Sequence, residues 1–439
     1  MASSRAFSLS DFDYHLPESL IAQKPADPRD HSRLLVYNRS DRSITDDFFY
    51  NLPRYLPEHS VLVINNSRVE KARLLFGKKE VFITRVLDPH TVEAMIRPGR
   101  SFRVGHTVEL SPEFSGLPEL PGSSETHDSP KWVNPSESPD LTEFPGPSET
   151  PDSQKLDIPS EAGGLKKFTN HSENPGSTVP IRAEVLGISD DGLRTLRFNY
   201  PINDPVFEPF RRTPFPPYIR PDESLSDRYQ TVYAKDDGSK AAPTAGLHFT
   251  DRIFEALSRK SVGVVELTLH VGLGTFAPVK TEKICEHKMH SEWYRIIEEA
   301  AERLRHARHI TAVGTTSARV LESAAGKPGH AAPNPSSDWA DSADGSLPSI
   351  SGNTVDTANS RSVPFRNFKT CEGETDIFIT PGYRFQTVDS LITNFHLPKS
   401  TLLMMIAAFT GIDEMHRIYR HAIQEKYRFY SFGDAMLLQ

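Results

Sequence analysis

Apolar and polar positions along this chain follow two successive rhythms. Residues 60–65 (SVLVIN) form a nearly unbroken apolar run, the mark of a buried strand, and lead into NNSRVEKARL. Shorter segments of β character come next: VFITRVL, TVEAMIR and FRVGHTVEL, then IRAEVLGI and LRTLRFNY. With turn signals at DPH, RPGR and DDG, they predict a small antiparallel barrel or sandwich. From Pro205 onward the pattern changes. A helix over 250–259 opens at Thr250 as N-cap, carries Asp251 in its first turn and buries Ile253, Phe254 and Leu257. Strands at 262–271 and 290–297, a helix at 298–308, strand ITAVG and helix TTSARVLESAA follow. Strand TDIFIT, strand SLITNFH and helices at 400–410 and 413–426 complete the series. Strands alternating with helices predict an α/β fold around a largely buried sheet.

Two stretches break both rhythms. Residues 111–180 hold 12 of the chain's 35 prolines among Ser, Glu and Asp, and residues 325–373 have the same character. Neither buries enough apolar surface to offset its ordering entropy, so both are expected to be disordered insertions. The first also carries the net charge of −8: removing its 12 acids and 4 bases from 58 and 50 leaves 46 of each. The rest of the chain is neutral and leaves room for a local basic surface. No apolar run of about 18 residues occurs, so no helical membrane span is expected. The opening MASSRAFSLSDFDY lacks the apolar core of a signal peptide. The two cysteines, Cys285 and Cys371, set up neither a disulfide framework nor a zinc-knuckle spacing. A cytoplasmic protein is expected.

PTAGLHFT (243–250) and TLHVGLGTFAPV (268–279) each set a histidine among small residues. Alternation along VVELTLHVG puts Val265, Leu267, Leu269 and Val271 on one face, and Glu266, Thr268 and His270 on the other. A polar face on so apolar a strand predicts a cavity, with Gly272 and Gly274 admitting a ligand close to the backbone. A glycine turn beside a hydrogen-bonded core histidine is the competing structural reading. In SLITNFHLPKST, alternation puts Asn394 and His396 on one face, with Thr393 and Phe395 on the other. Pro398 ends that strand and Ser400 caps the helix that stops at Gly411. Asn394, His396 and Lys399 then lie at a strand's carboxyl end, where α/β proteins bind ligands. AVGTTSARVLES is a strand–turn–helix; Thr315, Thr316 and Ser317 offer N–H groups and hydroxyls to an anion, with Arg319 one turn in. Helix capping alone also explains such residues. The Gly-x-Gly of HVGLGTF precedes TFAPVK rather than a helix and is no dinucleotide fingerprint. His287 and His290 suggest a metal site, yet no adjacent Cys or Glu-x-x-His context supports one, and no metal is expected. Nothing nearby activates Cys285 as a nucleophile. The residues alone indicate a small-molecule site with histidines and helix-terminal anion subsites.

Longer motifs narrow this. SDFDYHLPESLIAQKPADPRDHSRLLV, NNSRVEKARL, PTAGLHFT, TLHVGLGTFAPV, HKMHSEWY, VGTTSARVLES, TDIFITPGYRFQTVDSLITNFHLPKSTLLMMIAAFTG and HAIQEKYRFYSFGDAML span nearly the whole core. Together they resemble the S-adenosylmethionine:tRNA ribosyltransferase-isomerase family of queuosine biosynthesis. The resemblance implies a larger mixed α/β barrel-like domain, 1–66 with 206–439, interrupted by a small antiparallel β-barrel domain, 67–205. The two insertions are the departures from the family pattern. It also implies a transferase-isomerase that moves the ribosyl part of AdoMet onto 7-aminomethyl-7-deazaguanine in a tRNA anticodon stem-loop. Adenine and methionine leave, and epoxyqueuosine remains. AdoMet is then a cosubstrate, with no tightly bound cofactor, no metal and no membrane, and a monomer is expected.

That chemistry needs a near-neutral base beside the sulfonium and a proton donor for departing adenine, and histidines supply both. His248 and His270 are the catalytic candidates. Under the resemblance, Thr315, Thr316, Ser317 and Arg319 suit the methionine carboxylate, and Glu266 or Phe249 the sulfonium. Gly272, Gly274, Asn394, His396 and Lys399 would be neighbours. Arg29, Asp30, Ser32 and Arg33, with Asn65, Asn66 and Arg68, form a further set whose alternative reading is structural pairing at the domain junction. Two rivals stand: a metal-dependent hydrolase built on the histidines, and a non-catalytic RNA-binding scaffold using its acidic insertions. Metal content and AdoMet binding separate them.

Overall fold

The computed structural model describes residues 7–110, 180–190, 192–272, 274, 279, 281–325 and 366–439. The insertion expected at 111–180 lies outside the described residues up to 179, and that expected at 325–373 does so for 326–365. The chain opens with β1 (Arg33–Asn38), β2 (Ser43–Phe48), α1 (Leu52–Tyr55), β3 (Val61–Asn65) and β4 (Ser67–Val69). Next come β5 (Arg73–Phe76), β6 (Lys79–Val86), β7 (Thr91–Arg97), β8 (Thr107–Leu110), β9 (Ile181–Ile188), β10 (Arg194–Phe198) and β11 (Arg211–Arg212). Then follow β12 (Asp236–Ser239), α2 (Asp251–Arg259), β13 (Gly263–Leu269), β14 (Glu292–Ile296), α3 (Glu298–Arg305), β15 (Ile310–Val313) and α4 (Gly314–Ala324). The last are β16 (Cys371–Thr375), β17 (Ser390–Asn394), α5 (Thr401–Thr410), α6 (Ile412–Gln424) and β18 (Ala435–Leu438).

A mixed sheet runs in the order β16-β14-β13-β3-β15-β17-β18-β1-β2. Its centre is a parallel quartet, β13-β3-β15-β17, with Val265 beside Val63, Val63 beside Ala312 and Ala312 beside Leu391. Parallel strands survive only when both faces are covered. On one face Val63, Val265, Leu267 and Leu391 meet Leu304 of α3, Ala318 and Leu321 of α4, Leu403 of α5 and Ile418 of α6. On the other, Leu62, Ile64 and Ile392 meet Leu52 of α1 and Ile253 and Leu257 of α2. A second, antiparallel sheet, β11-β5-β6-β7-β10-β9-β8, curls into a half-barrel around Leu74, Val81, Val92, Ala183 and Leu196. The predicted α/β architecture with its smaller antiparallel unit is therefore present.

Three local expectations change. The strand read at TDIFIT forms earlier, at Cys371–Thr375, where Cys371 pairs with Ile296; Ile377, Phe378 and Ile379 pack on the core instead. The second insertion consequently ends before the boundary set for it. Thr250 stands at the N-cap of α2, but its hydroxyl donates to buried Asp30 (2.8 Å) rather than to the helix. Ser400 does cap α5, accepting from Leu403 N (3.1 Å), and Gly411 ends it with φ 90°. The third concerns β1 and β18, unassigned from the pattern, which pair in parallel with Leu35 beside Met436 and complete the sheet from the two ends of the chain.

Glu322 of α4 is buried and accepts five hydrogen bonds from the connection into β17. Its Oε1 takes Thr387 N (3.0 Å), Thr387 Oγ1 (2.9 Å) and Val388 N (3.0 Å). Its Oε2 takes Tyr383 OH (2.9 Å) and Gln386 N (2.8 Å). Glu322→Ala would leave these donors without their acceptor in a dry site, so urea unfolding is expected to show a loss of about 3 kcal/mol or more. Glu322→Gln, which keeps one acceptor oxygen, should lose less.

Candidate active site

The four parallel strands end along one edge, and most candidate groups lie just beyond it. Asn65 and Asn66 close β3, His270 and Gly272 follow β13, Thr315 follows β15, and Asn394 closes β17. Asn65 is fully buried and acts as a piece of backbone: its Oδ1 accepts from Leu269 N (3.0 Å) and its Nδ2 donates to Leu269 O (3.0 Å). The ladder between β3 and β13 thus extends past the last regular pair.

On the polar face of β13, Glu266 accepts from Asn66 Nδ2 (3.2 Å) and from Lys235 Nζ (2.7 Å). Thr268 Oγ1 lies 2.8 Å from both Asn66 Oδ1 and Asp236 Oδ2, and Asp236 also takes Arg295 (2.7 Å). His270 completes the row. Its ring stacks on Trp293 at 4.8 Å and 16°. Gly238, at a register shift in β12 with φ 135°, lies against the same ring. A Cβ there would stand 2.9 Å from Cε1 and Nε2 and 3.0 Å from Cδ2, distances equal enough to set it over a ring face. No side chain larger than hydrogen fits. The His270 Nδ1 is buried and has no hydrogen-bond partner among the described residues. Burial lowers the His270 pKa, Glu70 and Asp236 raise it, and Lys240 and Arg295 lower it again. The ring is held rigid and neutral.

The opposite face carries the anion-type groups. Thr315, Thr316 and Arg319 of α4 line a narrow cleft of about 30 Å³ with Gly274, His290 and Glu292. The α4 N-terminus has no side-chain cap, and Thr316 Oγ1 and Arg319 Nε are buried without partners among the described residues. Buried Glu292 ties this face together: Oε1 accepts from Gly272 N (2.8 Å), and Oε2 pairs with Arg319. Ser317 is fully buried on α4 and is not among the cleft residues. Gly274 packs on His290, whose ring fills the space any Cβ at that position would take. Among the described residues no group of three or more His, Cys, Asp or Glu is arranged to hold a metal ion, and no helix is long and apolar enough to cross a membrane.

His248 ends a 3-10 turn, Thr244–His248, and is 4% exposed. Thr244 Oγ1 donates to Asn394 Oδ1 (3.0 Å), so the Asn394 amide nitrogen faces His248 Nε2 (3.1 Å), and Nδ1–H is left to donate to Ser32 Oγ (2.7 Å). This pattern assigns a neutral Nδ1–H tautomer with both nitrogens engaged. Burial pushes its pKa down to about 4, against an opposing pull from Asp434. Asp30 neighbours the same segment through Thr250, and Arg29 caps it, donating to Gln230 O (2.9 Å) and Leu247 O (3.4 Å).

Four predicted residues lie elsewhere. β17 stops at Asn394, so His396 does not share its face; the ring turns back to Thr393 Oγ1 (2.7 Å), the His396 backbone N–H donates to Tyr419 OH (3.0 Å), and burial lowers the ring's pKa. Lys399 is engaged by Asp13 (2.8 Å). Arg33 lies over Tyr427 at 3.7 Å and donates to Glu425 O (2.6 Å). Arg68 is exposed. Conversely, Asp236, Gly238, Glu292, Trp293 and Arg295 escaped the sequence reading; only the Asp-Asp-Gly-Ser turn and the acid in HSEW hinted at them.

A family described as "Queuosine biosynthesis protein" matches residues 9–138 and 153–438. The chain belongs to this family. A Desulfitobacterium hafniense protein named S-adenosylmethionine:tRNA ribosyltransferase-isomerase is 39% identical, over 98% of this chain and 99% of its own. A Ralstonia pickettii protein of the same name is 39% identical, over 98% and 94%. A solved S-adenosylmethionine tRNA ribosyltransferase from Thermotoga maritima is 28% identical, covers 98% of this chain and 100% of its own, and has a TM-score of 0.44.

The buried imidazole of this queuosine-family chain has a thermodynamic consequence. Unfolded histidine binds a proton below about pH 6.5, whereas folded His248 does so only near pH 4. Between these values the unfolded state holds the extra proton, so stability falls as pH drops. We expect urea unfolding to lose on the order of 3 kcal/mol from this residue between pH 6.5 and 4. His248→Gln should flatten that limb by about one proton's worth.

Proposed function

We propose that the chain transfers the ribosyl moiety of AdoMet to 7-aminomethyl-7-deazaguanine in a tRNA anticodon, with isomerisation to epoxyqueuosine and release of adenine and methionine. The observation that carries the reading at the site is His270, a neutral imidazole seated against Gly238 and Trp293, with a buried Nδ1 that has no partner among the described residues, at the edge of a polar strand. A base that removes a proton beside a sulfonium must be unprotonated at working pH and fixed in direction, and this ring satisfies both. It can return that proton to departing adenine. Glu266 lies on the same face and supplies negative charge for the sulfonium, although Lys235 shares it.

The methionine carboxylate belongs at the α4 start, where the first N–H groups, Thr315, Thr316 and Arg319 converge. Gly272 adjoins this subsite through its N–H bond to Glu292, and Gly274 lines the cleft with His290 packed against it. His248 and Asn394 act in this reading as positioning residues, because both His248 nitrogens are already bonded. The catalytic unit comprises 1–66 and 206–439, with 67–205 as the smaller one. AdoMet enters as cosubstrate, and no metal takes part in the scheme.

Incubation with AdoMet and an anticodon stem-loop carrying the aminomethyl-deazaguanine base tests the proposal. Adenine and methionine with a heavier nucleotide are expected by chromatography and mass spectrometry; S-adenosylhomocysteine would instead mean methyl transfer and overturn it. The His270 pKa lies below 6.5, so kcat/KM should fall only as pH drops below that value. His270→Gln should lower kcat by about 100-fold or more and remove this limb. Gly238→Ala, which displaces the ring, should lower kcat about ten-fold or more while leaving AdoMet affinity near the wild-type value.

A further inference from the structure

We propose that the tip of the half-barrel, built on Arg97, Arg100, Arg103 and Arg194, is a phosphate-binding surface for the tRNA backbone. The reading rests on tRNA being the substrate. Residues 94–108 contain three arginines and no acid, in a chain whose overall charge is −8. All three side chains are exposed, and Arg194 joins them from β10: its Nη2 lies 3.3 Å from where a Cβ on Gly99 would stand. Met95 and Val104 of the same stretch are exposed apolar residues.

A run of charge on a protein surface is usually a solvated face with both signs mixed, and the neighbouring strands show that arrangement. Glu80 pairs with Arg73 (2.9 Å), Glu109 with Arg182 (3.5 Å) and Glu184 with Arg197 (2.6 Å). Among the described residues no ion pair involves Arg97, Arg100, Arg103 or Arg194. The segment is also held in place. Phe102 is 1% exposed in the half-barrel core, and Ser101 N bonds Pro98 O (3.2 Å) and Phe102 N bonds Gly99 O (3.1 Å). Gly105 N bonds Val185 O (2.9 Å), and Val185 N bonds His106 O (3.0 Å). Guanidinium groups on a fixed frame lose little backbone entropy on binding, and their planar donors match phosphate.

The location fits a backbone contact rather than a base contact. Arg97 pairs across to Glu80 next to the turn after Phe76, whereas the sheet joins β4 through Arg73 at the other end of β5. Three residue steps of β5 separate the two ends by about 10 Å. RNA whose target base lies at the carboxyl edge of the main sheet would present its flanking stem to this tip, where phosphate contacts set position without reading sequence.

The test measures binding of the full chain to a tRNA transcript between 50 and 300 mM salt. The variant Arg97→Glu/Arg100→Glu/Arg103→Glu is compared with Arg259→Glu/Arg303→Glu/Arg308→Glu, the same charge change at exposed positions on α2, on α3 and in the bend before β15. The first should weaken binding about ten-fold or more and flatten the slope of log Kd against log salt by about two to three; the second should do neither. Equal affinity and slope for wild type and the first variant would overturn the assignment. So would a change confined to self-association in sedimentation, which would make the tip a protein contact. If the triple variant fails to fold, single Arg→Gln changes at the three positions should each reduce the slope by about one. Wild-type tRNA binding without ribosyl transfer would remove the proposed reaction and leave this surface standing. Ribosyl transfer with an unchanged tRNA KM in the variant would do the reverse.

Discussion

Everything at the candidate site depends on one constraint: four neighbouring strands, β13, β3, β15 and β17, run parallel. Parallel pairing brings the carboxyl ends of segments separated by up to some 300 residues of sequence onto one edge. Each strand ends there in a different chemistry, an amide pair, an imidazole with glycines, a helix start with hydroxyls, and a second amide. Such an edge is where α/β sheets open a crevice, because the connecting helices splay apart beyond the last hydrogen bonds.

That edge is polar but not loosely so. Asn65 replaces backbone in the β3–β13 ladder, and Glu292 links the backbone of Gly272 to Arg319 on α4. A buried ion pair adds little net stability, since desolvation of both charges opposes their attraction. Its effect here is geometric: it fixes the glycine turn relative to the helix that starts the anion subsite. Burial that outweighs the nearby carboxylates does the complementary job for His248 and His270, favouring the neutral imidazole.

The glycines show how far local sequence carries an argument. Gly272 and Gly274 announced themselves by spacing; at Gly274 the His290 ring occupies the space of a side chain, whereas a Cβ at Gly272 would meet only ordinary contacts. Gly238 looked like an ordinary turn residue in DDGSK, yet it is the one that seats His270. No local pattern could reveal this, because the ring it supports is 32 residues away and reaches it only through the pairing of β12 with β4 beside β13.

The sequence by itself determined the alternation of strands and helices, the two faces of β13, the caps of α5 and the set of histidines, since these follow from period, propensity and motif. It also supplied the family, through long ordered motifs. Tertiary structure alone decided how each histidine is partnered. His248 and His270 look equivalent as residues among small neighbours, but long-range contacts engage both nitrogens of the first, whereas the buried Nδ1 of the second has no partner among the described residues. It likewise turned His396 away from Asn394 by ending β17 one step before alternation could carry through. The physical reason is the same in each case: hydrogen-bond satisfaction and burial are set by partners distant in sequence, and alternation specifies a face without specifying what it meets.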